Sequence, residues 1–348
     1  MTDQLRIGII GCGEISKGAT APGIAGARNA QHVMVMDIRE ELAKDVAEQF
    51  GVSYTTNTEE LLGNPDIDAV YIAVPHFLHA PLTIQALEAG KHVLVEKPIA
   101  TTLADADAMI AKAEEMSLKL SVAYDAQVNY QMIRLSEMIG GGMLGKVLGT
   151  RIVYRGDKPA SYWHGGYSGR VKDDWRTQRE TSGGGVLIMN TIHDLNTLRY
   201  VTGLEASRVY CEYDTFLTPV EVEDYIAVTV RYQNGAIGTL EAGSTIPGRD
   251  PLGTANRIYG EKGQVMLGRP PRIFLREAWG DVPAGEWHGL PVDESKVVGR
   301  AAMIEAFATA VQEHKEPLVT GWDGRAALEI AVAAYQSGRR HQPVELPL

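Results

Sequence analysis

At 348 residues, 45 % of them hydrophobic, the chain is longer than one compact core usually holds, so two domains are expected. Charged residues make up 22 %, and the 37 glycines and 16 prolines are spread along the chain, which excludes a disordered or low-complexity protein. A formal net charge of -11 argues against nucleic acid and against an anionic membrane, and leaves a small molecule as the expected partner.

In chain order, Ile7-Gly8-Ile9-Ile10, Val33 to Met36, Ala69 to Val74, Val93-Leu94-Val95 and Leu118 to Val122 read as short strands without polar alternation. Between them Glu40 to Phe50, Pro81 to Ala89 and Leu103 to Met116 carry helical periodicity. This βαβ rhythm predicts a doubly wound α/β Rossmann domain over residues 1–123. After it, a helix over Gln131 to Ile139 is followed by strands at Val147 to Tyr154, Ala206 to Tyr213, Tyr225 to Tyr232, Ala236 to Ala242, Ala255 to Gly260 and Gly263 to Leu267. Consecutive strands predict an α+β domain, 124–348, with an open-faced, largely antiparallel sheet. Gln233-Asn234-Gly235 predicts a hairpin of type I′, since Asn-Gly supplies positive φ. Helices at Arg300 to His314 and Gly324 to Ser337 close the chain.

The first strand runs into Gly11-Cys12-Gly13-Glu14-Ile15-Ser16, a dinucleotide fingerprint with serine at the third small position. Gly11 permits the turn, Gly13 lets backbone approach a pyrophosphate, and the helix that opens at Glu14 and Ile15 offers free N–H groups to the anion. Asp37, at the end of the next strand, stands where a carboxylate takes ribose hydroxyls and repels a 2′-phosphate, so NAD is favoured over NADP. Arg39 is the nearby cation that would have to accommodate that phosphate. Two further strand ends, Val74-Pro75-His76-Phe77-Leu78-His79 and Glu96-Lys97-Pro98, fall at the carboxyl edge where such sheets bind ligands, which makes Pro75, His76, His79, Glu96 and Lys97 candidates for the cofactor pocket. His76 and His79 lack the further ligands of a zinc site, and no metal is expected.

The glycine loop, the strand-Pro-x-x-x-His segment, Ala89-Gly90-Lys91-His92-Val93-Leu94-Val95-Glu96-Lys97-Pro98, and Gly183-Gly184-Gly185-Val186-Leu187 leading to His193 together resemble the Gfo/Idh/MocA oxidoreductases, among them glucose-fructose oxidoreductase and inositol dehydrogenase. The resemblance implies hydride transfer between NAD and a hydroxyl or ketone carbon of a sugar, cyclitol or related small alcohol. It also implies a sheet that packs against other subunits, as a homodimer or homotetramer. By the same resemblance Lys97 and His193 are the catalytic pair: hydride leaves a carbinol carbon as its proton departs, so His193 serves as base and Lys97 stabilises alkoxide charge on the same oxygen. His193 also reads as a satisfied interior histidine on a helix from Gly185 to Val201.

The pattern departs from polyol-oxidising members, in which an aspartate stands four residues before the histidine; here it is Met189, with Asn190 and Asp194 as polar neighbours and Asn196 three residues after. Tyr124-Asp125-Ala126-Gln127 carries Gln127 where many members have arginine. Trp163, Trp175 and Arg176, before the triple glycine, either line the substrate pocket or form aromatic cover, and specificity is expected in the loops Lys158 to Gly169 and Thr245 to Thr254. Two other readings share the fold: a redox-neutral lyase or glycosidase that keeps its NAD, and a non-catalytic NAD-dependent sensor. Two cysteines, Cys12 and Cys211, no signal peptide in Met1 to Arg6 and no ~20-residue apolar run predict a soluble cytoplasmic protein.

Overall fold

A computed structural model describes residues 4–248, 255–293, 295–296 and 298–348. They form two compact units, each assembled from separate stretches of chain. The first comprises Met1–Val128, Ser161–Gly183 and Val297–Leu328; the second comprises Asn129–Ala160, Gly184–Lys296 and Glu329–Leu348. The linear division at 123/124 therefore does not trace the path of the chain, which leaves and re-enters the first unit.

The first unit holds a six-stranded, wholly parallel sheet: β1 (Leu5–Ile10), β2 (Ala30–Met36), β3 (Ser53–Thr55), β4 (Ala69–Ile72), β5 (His92–Val95) and β6 (Leu120–Val122), in spatial order β3-β2-β1-β4-β5-β6. Strand order reverses between β1 and β4, and the crevice at their carboxyl ends is the expected ligand site of such a sheet. The helix Glu40–Phe50 has the limits that its periodicity predicts, because Gly51 at φ 67° ends it in a left-handed C-cap. Its buried Leu42, Ala43 and Val46 join the core of Ile7, Ile9, Val35 and Tyr71. The same core takes Met303, Ile304, Phe307 and Ala308 from the helix Gly299–Gln312.

The second unit is built on a nine-stranded sheet: β7 (Val147–Arg155), β8 (Ala206–Asp214), β9 (Tyr225–Tyr232), β10 (Ile237–Gly243), β11 (Asn256–Gly260), β12 (Gly263–Leu267), β13 (Arg272–Leu275), β14 (Trp287–Gly289) and β15 (Val344–Glu345). The order is β14-β13-β12-β11-β7-β10-β9-β8-β15, with one parallel pairing, β7 with β10, among antiparallel ones. Strands β8–β10 alternate over most of their length, one face buried and the other carrying Tyr210, Thr229, Ile237 and Thr239 to the surface.

The turn between β9 and β10 differs from the type I′ expectation. Only Gly235 has positive φ, at 88°; the Asn234 side chain accepts from Ala236 N–H at 2.9 Å and donates to the Val147 carbonyl at 3.1 Å, which holds a longer connection with a single left-handed residue. β3, β13, β14 and β15 are two to four residues long and were not expected as strands. Residues 249–254 of the expected specificity loop lie outside the described residues. Among those described, no helix is long and apolar enough to cross a membrane and no cluster of His, Cys, Asp and Glu could hold a metal ion.

Candidate active site

In the first unit the glycine loop follows β1. Gly11 sits at φ 94°, and a methyl group there would collide with the Ala73 carbonyl, so the position is closed to any other residue. Gly13 is different: a methyl group there would meet nothing nearer than Val171 Cγ2 at 3.8 Å. The fold does not need that glycine for its own packing, and the space beside it is open to an approaching ligand backbone. Ser16, in the third small position, is buried and donates its hydroxyl to the Gly11 carbonyl. The helix then widens into one π turn over Ser16–Thr20. Burial pushes the Cys12 thiol up to about 12, which makes it inert.

Asp37 is set by the loop it serves. One carboxylate oxygen accepts from Cys12 N–H at 2.7 Å and the other from Arg39 N–H at 2.9 Å, so the group is oriented by backbone and each oxygen keeps a lone pair for a ribose hydroxyl. The Arg39 guanidinium donates to the Lys172 carbonyl at 3.0 Å and lies 3.8 Å from Asp173 Oδ2. These residues fit a dinucleotide, with the loop Gly11 to Ile15 to hold its pyrophosphate and Asp37 its ribose.

The segment Ser161–Gly183 lies against this loop. Glu14 accepts from Tyr167 N–H at 3.1 Å, so its carboxylate fastens that segment. Arg170 donates to the Cys12 carbonyl at 3.3 Å and pairs with Asp45, which also takes Lys17 Nζ at 2.7 Å. Ile15 stays half-exposed at the helix opening. Sequence reasoning missed Arg170, which is 158 positions from its acceptor and carries no local signal.

At the other strand ends, Pro75 leads into a short turn in which His76 Nδ1 lies 2.7 Å from the Ser182 carbonyl and its ring packs on Trp175 at 4.5 Å. His79 Nδ1 and Nε2 lie 2.7 Å and 3.0 Å from the carbonyls of Pro98 and Val74. Both imidazoles are buried, and burial holds both below the usual histidine range. Arg176 stacks over Trp175 at 4.4 Å and over Tyr162 at 5.3 Å, while Trp163 is 1 % exposed, edge-on to Tyr162. Tyr124 and Gln127 are also buried in this unit. Lys97 follows Glu96 at the end of β5. Burial, opposed by Glu96 and assisted by Arg300 and Arg176, lowers its ammonium below the ordinary lysine range.

In the second unit two glycines of the triple, Gly184 and Gly185, have a packing explanation. A methyl at Gly184 would collide with the Tyr335 ring and hydroxyl, and one at Gly185 with the Glu223 carbonyl oxygen. The Glu223 carboxylate, 1 % exposed, accepts from Gly185 N–H at 2.7 Å, Leu187 N–H at 3.0 Å and Tyr335 O–H at 2.9 Å. It thus satisfies the free N–H groups at the start of the helix that runs through Leu187–Thr191, as a π turn, into Ile192–Thr202.

That helix carries Met189, buried, and Asn190 and His193, partly exposed. The π turn breaks the four-residue register assumed between positions 189 and 193. Asn190 Oδ1 accepts from buried Lys158 Nζ at 2.6 Å, and Asp194 accepts from Asn256 at 2.7 Å, so the sheet holds the residues that flank His193. Glu223 was likewise not anticipated from sequence, and Lys158 only as the first residue of an expected specificity loop.

The family model described as "Oxidoreductase family, NAD-binding Rossmann fold" matches residues 5–124, and that of the GFO/IDH/MocA C-terminal domain matches residues 132–266. The chain is 30 % identical to 1,5-anhydro-D-fructose reductase of Ensifer adhaerens over 348 residues, 98 % of each chain. It is 27 % identical to myo-inositol 2-dehydrogenase of Thermotoga maritima over 352 residues, again 98 % of each. A solved structure of levoglucosan dehydrogenase in complex with NADH and L-sorbose superposes with a TM-score of 0.85 at 25 % identity, covering 99 % of both chains. With both domain models matched in order and the glycine loop fitted to a dinucleotide, the chain belongs to the Gfo/Idh/MocA family of NAD-binding oxidoreductases.

Proposed function

We propose that this oxidoreductase interconverts a secondary hydroxyl and a ketone on a sugar or cyclitol, with Lys97 and His193 as its catalytic residues. The observation that carries the reading is Lys97: a half-buried lysine just past the carboxyl end of β5, its ammonium weakened by desolvation, on the sheet edge where this fold binds ligands. Bound NAD supplies the hydride acceptor, and NADH the donor. Lys97 Nζ donates to the reacting oxygen and stabilises the negative charge that develops there. His193 takes the carbinol proton in oxidation and returns it in reduction. The names of the relatives, an anhydrofructose reductase, an inositol dehydrogenase and a levoglucosan dehydrogenase, support the substrate class.

The test is single-turnover hydride transfer with a panel of sugars and cyclitols. Lys97→Met and His193→Ala each lose about 10²–10⁴-fold in rate, with NADH affinity and melting temperature held. Near-wild-type transfer by both variants refutes the assignment. We also infer a cytoplasmic homodimer or homotetramer assembled through the open face of β8–β10, where Tyr210 and Ile237 are exposed among threonines. A monomer by light scattering at micromolar concentration overturns that assembly.

A further inference from the structure

Lys97 is preceded by a carboxylate whose own partners come from far along the chain. Arg300 stands at the start of the helix Gly299–Gln312 and runs past the cofactor helix at Gly23, where a methyl group would come within 2.6 Å of Arg300 Cγ. Its Nη1 donates to the Tyr71 hydroxyl at 2.6 Å and lies 2.9 Å from Glu96 Oε1. Tyr71 donates to that same Oε1 at 2.8 Å, and Oε2 accepts from Lys97 N–H at 3.2 Å. The Arg300 and Glu96 side chains are only 20 % and 10 % exposed, so the pair is shielded from solvent screening.

A carboxylate one residue from a partly desolvated ammonium favours the charged lysine and draws Nζ toward itself. A second cation bound to the carboxylate divides that attraction, and hydrogen bonds to both oxygens restrict its rotation. We propose that Arg300 is a positioning residue: through Tyr71 and Glu96 it anchors the carboxylate beside Lys97 and so tempers its pull on Nζ, the group proposed to act on the substrate oxygen. This rests on the reading that Lys97 acts on that oxygen. Within this unit, the charged or titratable groups that face Lys97 are Glu96, Arg300, Arg176 and the two buried imidazoles of His76 and His79; Tyr124 faces Glu96 and Asp125 faces Arg300.

The experiment is competitive acetylation of the full-length protein with trace acetic anhydride, read peptide by peptide by mass spectrometry from neutral to strongly alkaline pH, which yields the titration midpoint of Lys97 without any substrate. In Arg300→Met the midpoint rises by about one pH unit, the usual effect of one nearby charge. Arg300→Lys, which keeps the cation, returns it to the wild-type value. Tyr71→Phe retains the ring and removes one donor from Glu96; it shifts the midpoint the same way and serves if Arg300→Met does not fold. An unmoved midpoint in the folded variants overturns the proposal, as does a wild-type Lys97 that never labels, since a lysine kept for substrate must be reachable. If instead the midpoint moves while Lys97→Met still transfers hydride, the catalytic reading fails and what stands is only that Arg300 tempers the charge on Lys97.

Discussion

Glu223→Gln tests whether one buried carboxylate sets the turn that leads into the His193 helix. All three partners of Glu223 are donors, two of them backbone N–H groups at 2.7 Å and 3.0 Å. Glutamine replaces one acceptor oxygen by an NH₂. Placed at Oε2, the NH₂ faces the Gly185 N–H; placed at Oε1, it can donate to the Tyr335 hydroxyl but leaves the Leu187 N–H without an acceptor. Either orientation orphans one buried backbone donor, at about 1–3 kcal/mol, and turns the remaining charge-assisted bonds into neutral ones at about 1 kcal/mol each. Relief of the buried charge offsets part of this, since burial raises the Glu223 carboxyl above the usual carboxylate range.

A net loss of about 2–4 kcal/mol follows, a fall in melting temperature of roughly 4–12 °C. The assay is denaturant and thermal unfolding of both proteins, with NADH binding as the control, because the glycine loop belongs to the other unit. The sign with pH is also determined. Between the ordinary carboxylate value and its raised folded value, Glu223 binds more protons folded than unfolded, so wild-type stability declines relative to the glutamine variant as pH rises through that window. A glutamine variant within about 0.5 kcal/mol of wild type, with no difference in pH slope, refutes the role given to this carboxylate.

The two loop glycines separate structure from cofactor: Gly13→Ala should unfold within about 0.5 kcal/mol of wild type and lose NADH binding in a fluorescence titration, whereas Gly11→Ala, at φ 94° against the Ala73 carbonyl, should be strongly destabilised. Equal stability losses, or NADH affinity retained in Gly13→Ala, would remove the argument that Gly13 is kept open for a pyrophosphate. Asp37→Ser should narrow the gap between NADH and NADPH dissociation constants by roughly ten-fold or more, since two like charges in contact cost ~1 kcal/mol even in water and more near a protein. Wild-type binding of NADPH as tight as NADH would contradict the reading of Asp37.

Features that depend on near neighbours are legible in the chain alone. Helix limits such as Glu40–Phe50 are set by apolar spacing and a left-handed glycine, and the loop Gly11 to Ser16 followed by Asp37 reflects a turn, a helix start and a strand end within one βαβ unit. The family resemblance rests on these ordered local motifs. Short edge strands such as Ser53–Thr55 escaped because three residues carry no period, and the β7–β10 parallel pairing escaped because no turn joins those strands. The Asn-Gly turn departs from type I′ because Asn234 spends its side chain on Ala236 and on Val147, 87 positions away.

Tertiary structure alone decided the supports of the candidate site: Arg170 on the Cys12 carbonyl, Arg300 and Tyr71 on Glu96, Glu223 under the triple glycine, and Lys158 on Asn190. Each is a polar or charged side chain reaching a backbone or side-chain group from another part of the chain. Burial is what makes such a contact energetically decisive, and burial is a property of the packed fold that no spacing of residue types encodes.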